Sequence, residues 1–189
     1  VMGEEIFDIY REILEEDKLN ARVTVLLLFG EYGEQSFEDM KKGLKQWRKP
    51  SITDEDMLHV PGVKIFADGI PLTKTSWMYD EYFGGGCGSL VIPGTNDEMR
   101  HDELVNMIVH AHEQGFQVGV HCTGDRAIDA VVGGFEAAEK KIPQQDRRHY
   151  IIHADFISPK TLRRIAKLNI GVSMQPSLQK MMGDIAKYI

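Results

Sequence analysis

Apolar residues along this chain switch repeatedly between a helical period and short, nearly continuous runs. Ile6, Ile9, Tyr10, Ile13 and Leu14 recur at helical spacing and predict an amphipathic helix over 4–16. Arg22 to Phe29 follows, almost uninterrupted in apolar residues and β-branched at its start, as in a strand buried on both faces. Phe37, Met40, Leu44 and Trp47 outline a second helix that ends before Pro50. Residues 51–61 are polar and mixed, and Pro61-Gly62 punctuates them as a turn would. Val63–Ala67 then reads as a short strand closed by Asp68-Gly69.

A long connection runs from Ile70 to Asp97. The helix after it, 98–114, carries Leu104, Val105, Ile108, Val109 and His112, with Gly115 just past its end. Gln117 to His121 is a strand that turns at Gly124 and opens a helix through Ile128, Val131, Val132, Phe135 and Ala138. Gly133-Gly134 inside that helix costs about 1 kcal/mol per glycine relative to alanine, which implies close packing there. A strand over 148–153, a helix from Ser158 and Pro159 to Leu168, and a strand over 170–175 complete the pattern. Pro176 ends that last strand, and 180–189 is read as the start of another helix.

Five strands separated by helices, with no hairpin signal, imply parallel strands joined by right-handed crossovers. The fold class is therefore α/β, either a barrel or a doubly wound open sheet. A length of 189 residues suits a single domain spanning 1–189. A connection as long as 70–97 in a compact domain is usually an active-site lid or a binding loop. Its Gly84–Gly88 cluster lacks the lysine and the strand-turn-helix setting of a phosphate loop, so it is read as a plain loop.

Composition narrows the partners. A net charge of -7 argues against nucleic acid and anionic membrane surfaces, both of which attract basic proteins. The longest apolar run, Val25–Phe29, is too short to cross a bilayer. Cys87 and Cys122 lie in different elements without metal-site or disulfide-framework spacing, so reduced thiols and a cytoplasmic setting are expected. The chain opens at Val1 with a helix already under way, as expected of a segment from a longer protein.

The chemistry concentrates at strand ends. His121 and His153 each terminate a strand, in consecutive β-α units, and neighbouring parallel strands lie about 4.8 Å apart. Either imidazole alone reads as a hydrogen-bonded core histidine; as a pair at carboxyl ends, where catalytic groups collect, they read equally well as ligands to one metal ion. Lys64 inside an apolar strand is unusual, because lysine is seldom buried without a partner. It either snorkels to the strand end or pairs with a carboxylate. Asp68 shares its strand face toward the carboxyl end. The remaining histidines read blandly: His59 and His101 as exposed, His110 and His112 at a spacing that does not share an ion, and His149 as surface.

Taken in order, Val63-Lys64-Ile65-Phe66-Ala67-Asp68-Gly69, His121-Cys122-Thr123-Gly124-Asp125-Arg126-Ala127, Arg148-His149 through His153-Ala154, and Gln175-Pro176 resemble the amidohydrolase superfamily, specifically amidohydrolase family 3. The resemblance covers essentially the whole chain. It implies a (β/α)₈ TIM barrel, here seen as strands three to seven, with a metal centre of one or two divalent ions, zinc foremost. On that reading His121 is the fifth-strand ligand, His153 the sixth-strand ligand, and Lys64 the fourth-strand lysine that can be carboxylated to bridge two metals. Asp68, Asp125, Arg126 and Gln175 are candidates for substrate contact. One departure is plain: Ile152 stands where the family carries a glutamate before the sixth-strand histidine.

The resemblance implies hydrolysis of C–N bonds in a small amide-like or cyclic amide substrate by metal-activated water. It places the first-strand His-x-His pair before Val1 and the aspartate base beyond Ile189, so the isolated segment is expected to be inactive. The rival reading is a non-catalytic barrel segment with structural histidines. Exposed sheet edges invite self-association in either case, and a homo-oligomer is expected. A doubly wound nucleotide-binding domain is disfavoured by the lack of a glycine-rich strand-turn-helix fingerprint.

Overall fold

The computed structural model describes residues 4–143 and 146–183. Five parallel strands form one sheet in the sequential order β1 (Val23–Leu27), β2 (Leu58–Phe66), β3 (Gln117–Cys122), β4 (Tyr150–His153) and β5 (Gly171–Ser173). The order never reverses, as it would at the switch point of a doubly wound sheet. The helices α1 (Glu4–Glu15), α2 (Phe37–Gln46), α3 (Asp97–Glu113), α4 (Asp125–Lys141), α5 (Pro159–Lys167) and α6 (Pro176–Met182) intervene. This is the progression of a (β/α) barrel wall.

The larger of two core clusters lies between the sheet and its helices. Val63, Ile65 and Ala67 of β2 and its end, Val118, Val120 and Cys122 of β3, and Ile151 of β4 meet Met40, Leu104, Ile108, Ile128, Val131, Phe135 and Ile165. Period-two alternation puts the remaining strand residues on the opposite face: Lys64 and Phe66, Gly119 and His121, Tyr150 and Ile152. In a barrel that face is the interior. The tightest helix pair is α3 on α4, and they meet closely at Gly134, where a Cβ would lie 2.7 Å from the Ile108 Cδ1 methyl. Gly133 meets no comparable neighbour, so the predicted close packing belongs to one glycine of the two.

Several boundaries differ from the sequence pattern, each for a local reason. Strand β2 starts at Leu58 and runs through Pro61-Gly62, which the pattern marks as a turn. Pro61 is tolerated because the ladder slips there. Thr24 pairs with His59 and Leu26 with Gly62, leaving an extra residue on β2 where no donor is required. In α1 the buried stripe is Phe7, Tyr10 and Leu14 against Val25, Leu58 and Val60, while Ile6 and Ile9 are exposed. The last helix begins at Pro176 rather than at 180, since proline's missing N–H is no loss in a first turn. The rest of the helix predicted there, 184–189, lies outside the described residues.

Candidate active site

The carboxyl ends of β2, β3 and β4 hold the chemistry. Asp68 is the scaffold. It is completely buried and accepts backbone hydrogen bonds from Trp77 (3.0 Å), Thr123 (3.0 Å) and Gly124 (2.9 Å), with the Thr123 hydroxyl at 3.3 Å. Burial pushes its carboxyl up to about 6 while these donors pull it down, so it is ionised at neutral pH. Its oxygens are consumed by the protein, and the structure does not offer Asp68 to a substrate. Asp68 instead binds the long loop to the turn between β3 and α4. Gly124 is required in that turn: a Cβ would lie 2.2 Å from Trp77 O.

The loop is stitched down along its length rather than free. Tyr82 Oη donates to Ser76 O at 2.8 Å, Met78 N to Cys87 O at 2.7 Å, and Val91 N to Ala67 O at 2.8 Å. Asp125 and Arg126 belong to this fastening. Asp125 Oδ1 accepts from Tyr79 N at 3.0 Å, and the Arg126 guanidinium lies 4.1 Å from the centre of the Trp77 ring and 3.5 Å from Asp97. Their polar atoms face the loop and α3, not the strand-end histidines.

His121 and His153 do come together, with ring centres 4.7 Å apart. His153 reaches this position against the alternation. In register it pairs with Cys122, which faces the helices. The backbone turns left-handed at His153 (φ +81°) and Ala154 (φ +58°), which sends Ala154 into the helix-side core and His153 to the other face. Such residues cost on the order of 1 kcal/mol each. The turn is held by Ala154 N to Cys122 O and Phe156 N to Thr123 O, both 3.1 Å.

Each ring has one nitrogen occupied. His121 Nε2 lies 2.9 Å from Gly69 O, which as a carbonyl can only accept, so the ring carries its proton on Nε2 and a lone pair on Nδ1. His153 Nδ1 lies 2.5 Å from Gln175 Oε1, and Gln175 is fixed by its own Nε2 donating to Ser173 O at 2.9 Å. Gln175 thus touches a histidine, where the sequence suggested a substrate. The other two ring nitrogens have no hydrogen bond among the described residues, and neither is sealed from solvent. Burial lowers the His121 pKa to about 4, so the ring is neutral at physiological pH.

Lys64 shares this face. It is 3% exposed, has no ion pair among the described residues, and places Nζ 4.4 Å from the centre of the Phe66 ring. Burial lowers its pKa to about 8, which leaves roughly one molecule in ten uncharged at pH 7. A residue that the sequence did not single out holds the strand beneath it. Gln35, 1% exposed, donates Nε2 to Lys64 O at 2.7 Å and accepts Phe66 N at 3.2 Å, extending the ladder past the end of β1. Nothing in the polar run around Gln35 marks it. Phe66, by contrast, was findable as the next residue on the face of Lys64.

Against known proteins, residues 1–186 match the profile of the amidohydrolase family. The chain belongs to this family. Curated relatives include Protein LONG AFTER FAR-RED 3 of Arabidopsis thaliana, 30% identical over 68% of this chain and 21% of that protein. YtcJ of Bacillus subtilis (strain 168) is 28% identical over 71% of this chain and 24% of its own length. Among solved structures, an uncharacterized metal-dependent hydrolase from Pyrococcus furiosus superposes with a TM-score of 0.68 at 28% identity, covering 92% of this chain and 32% of that one. A Pyrococcus horikoshii OT3 counterpart has the same TM-score at 22% identity and supports the fold. The chain spans less than a third of the curated relatives it matches.

As an amidohydrolase-family site, the donor set fits a divalent cation in part. Two imidazoles, each with one nitrogen tied to the protein and one open, are the arrangement that orients histidine toward a metal. Among the described residues no group of three or more His, Cys, Asp or Glu is arranged to hold one. Structural zinc takes four protein ligands and catalytic zinc usually three, more than the two imidazoles offer. Cys122 is no substitute: it is a free thiol, fully buried, its pKa raised by burial, and it faces the helices. No described helix is long and apolar enough to cross a membrane.

A second histidine pair lies at the amino ends of the strands. His149, which the sequence reads as surface, is packed against Phe135 in a stacked arrangement with ring centres 5.1 Å apart. Its Nδ1 accepts Val118 N at 3.0 Å, so its proton sits on Nε2, 2.8 Å from His112 Nδ1. His112, 1% exposed, carries its own proton on Nε2 and donates to Ile142 O at 2.9 Å. All four nitrogens are used. Burial first, then His112 and Arg147, lower the His149 pKa to about 4.

Proposed function

We propose that this chain forms one wall of the active site of a metal-dependent hydrolase of amide-like or cyclic amide C–N bonds. The observation carrying this reading is the strand-end pair His121–His153, each ring oriented by a protein acceptor with its other nitrogen open. A bound divalent cation, zinc foremost, would polarise a substrate carbonyl and lower the pKa of water. His121 and His153 would hold it, with Lys64, uncharged or carboxylated, as a further contact. Gln175 keeps the His153 proton on Nδ1, and Asp68 keeps the loop and the β3–α4 turn in place behind the pair. Asp125 and Arg126 are assigned to loop fastening. The chain covers less than a third of its curated relatives' length, and the segment alone is proposed to be inactive.

The test is turnover of a panel of N-acyl and cyclic amides by the full protein. Activity should vanish with a chelator, return with Zn²⁺, and be absent in His153→Ala. Chelator-resistant activity that survives the substitution would overturn the reading. A second reading, a structural segment that self-associates, draws on β5, whose Gly171 and Ser173 are exposed, followed by Met174 at 62% exposure. Sedimentation of the chain distinguishes a monomer from a self-paired dimer.

A further inference from the structure

We infer that the substrate of this site carries an aromatic or similarly flat unsaturated group, seated on Tyr32 and Phe66 beside the histidine pair. The inference rests on the hydrolase reading above and names the class of amide that reading leaves open.

Four rings form an unbroken row across the carboxyl ends of four consecutive chain segments. Tyr32 meets Phe66 edge-on with centres 5.1 Å apart, Phe66 lies 5.4 Å from His121, and His121 lies 4.7 Å from His153. Half of this row carries open ring nitrogens and the other half is aromatic. A carbonyl placed at the histidines therefore has its nearest lateral neighbour in Phe66, within reach of a ring joined to the amide by one or two bonds.

Tyr32 is 56% exposed, although it sits on a segment that is firmly placed. Glu34 N bonds to Glu31 O at 3.1 Å, and the adjacent Gln35 is clamped to the backbone of Lys64 and Phe66. An exposed aromatic on an anchored loop offers ring surface without the entropic cost of ordering it, the property that makes tyrosine effective at binding sites. Lys64 Nζ lies over the Phe66 ring, 4.4 Å from its centre, so one face of Phe66 carries a positive charge and the incoming ring is left Tyr32 and the remaining side of Phe66. Saturated groups could fill the space but would gain no ring-on-ring geometry.

The experiment is a chemical-shift titration of the chain with benzamide and, separately, cyclohexanecarboxamide. The aromatic probe should bind about three- to tenfold more tightly. Tyr32→Ala, a mild change at an exposed position, should erase that preference, and Tyr32→Phe should keep it. Equal affinity for the two probes, absence of binding by either, or an unchanged preference in Tyr32→Ala would overturn the inference. Zinc uptake, measured separately, keeps the two claims apart. A chain that takes up zinc without preferring the aromatic probe loses only the ring platform. A chain that prefers it through Tyr32, in a full protein that takes up no zinc, keeps the platform and loses the hydrolase reading.

Discussion

Two histidine pairs stand at opposite ends of one sheet, and they are built on opposite principles. At the amino ends, Val118 N–H, His149, His112 and Ile142 O form a closed chain in which every nitrogen has a protein partner. At the carboxyl ends, Gly69 O and Gln175 Oε1 each occupy one nitrogen of His121 and His153 and leave the other open. The first arrangement is a strut, since nothing remains to offer a ligand. The second leaves one nitrogen of each ring to water or to a ligand. Proximity of two imidazoles does not offer a ligand a position; an open nitrogen does.

The largest expected effect separates the pairs directly. His121→Ala should weaken Zn²⁺ binding to the chain on the order of 100-fold, while His149→Ala should leave it within about twofold once folding is confirmed. Isothermal titration of both variants checks this, and a similar loss in each would erase the distinction.

Acid should break the strut. His149 is held neutral, with a folded pKa of about 4 against an ordinary value near 6.5, so the unfolded chain binds more protons between those values. Its stabilising contribution is complete above about pH 6.5 and is lost as pH falls toward 4, by about 3 kcal/mol. Urea midpoints at pH 7 and 4.5 measure the change, and His149→Gln should show a distinctly shallower dependence.

How much of this was legible in the sequence follows the same division. The alternation of strands and helices, the strand-end positions of His121 and His153 and the oddity of Lys64 come from periodicity, which strands and helices obey; the choice of a barrel over a doubly wound sheet comes from the family resemblance. The strut was not legible. His112 and His149 lie 37 residues apart in sequence, and each looks ordinary in its own segment. Asp68 and Asp125 were visible as polar groups near the site. Whether a carboxylate faces substrate or backbone depends on where a loop of nearly thirty residues lands, and only the fold decides that. The turn that redirects His153 left no sequence mark either, since alternation alone would aim that ring at the helices.

Smaller effects sharpen the open pair. Gln175→Ala frees His153 to rotate and change tautomer, and should cost about tenfold in Zn²⁺ affinity. Lys64→Met removes a buried cation without an ion pair among the described residues and should stabilise the fold by about 1 kcal/mol at neutral pH. Because the folded pKa of Lys64 is about 8 against an ordinary 10.5, that gain should be full below pH 8 and fade toward pH 10.5. Urea denaturation at pH 7 and pH 10 checks the sign; a gain that grows with pH would contradict the burial of the charge.

The most direct test of the central claim is the long-range ¹H–¹⁵N spectrum of the imidazole nitrogens, recorded on the chain with and without Zn²⁺. His112 and His149 should both appear as fixed Nε2–H tautomers that zinc does not perturb. The open nitrogens, Nδ1 of His121 and Nε2 of His153, should shift together as zinc is added. Zinc shifts at His112 or His149, or none at His121 and His153, would contradict the account.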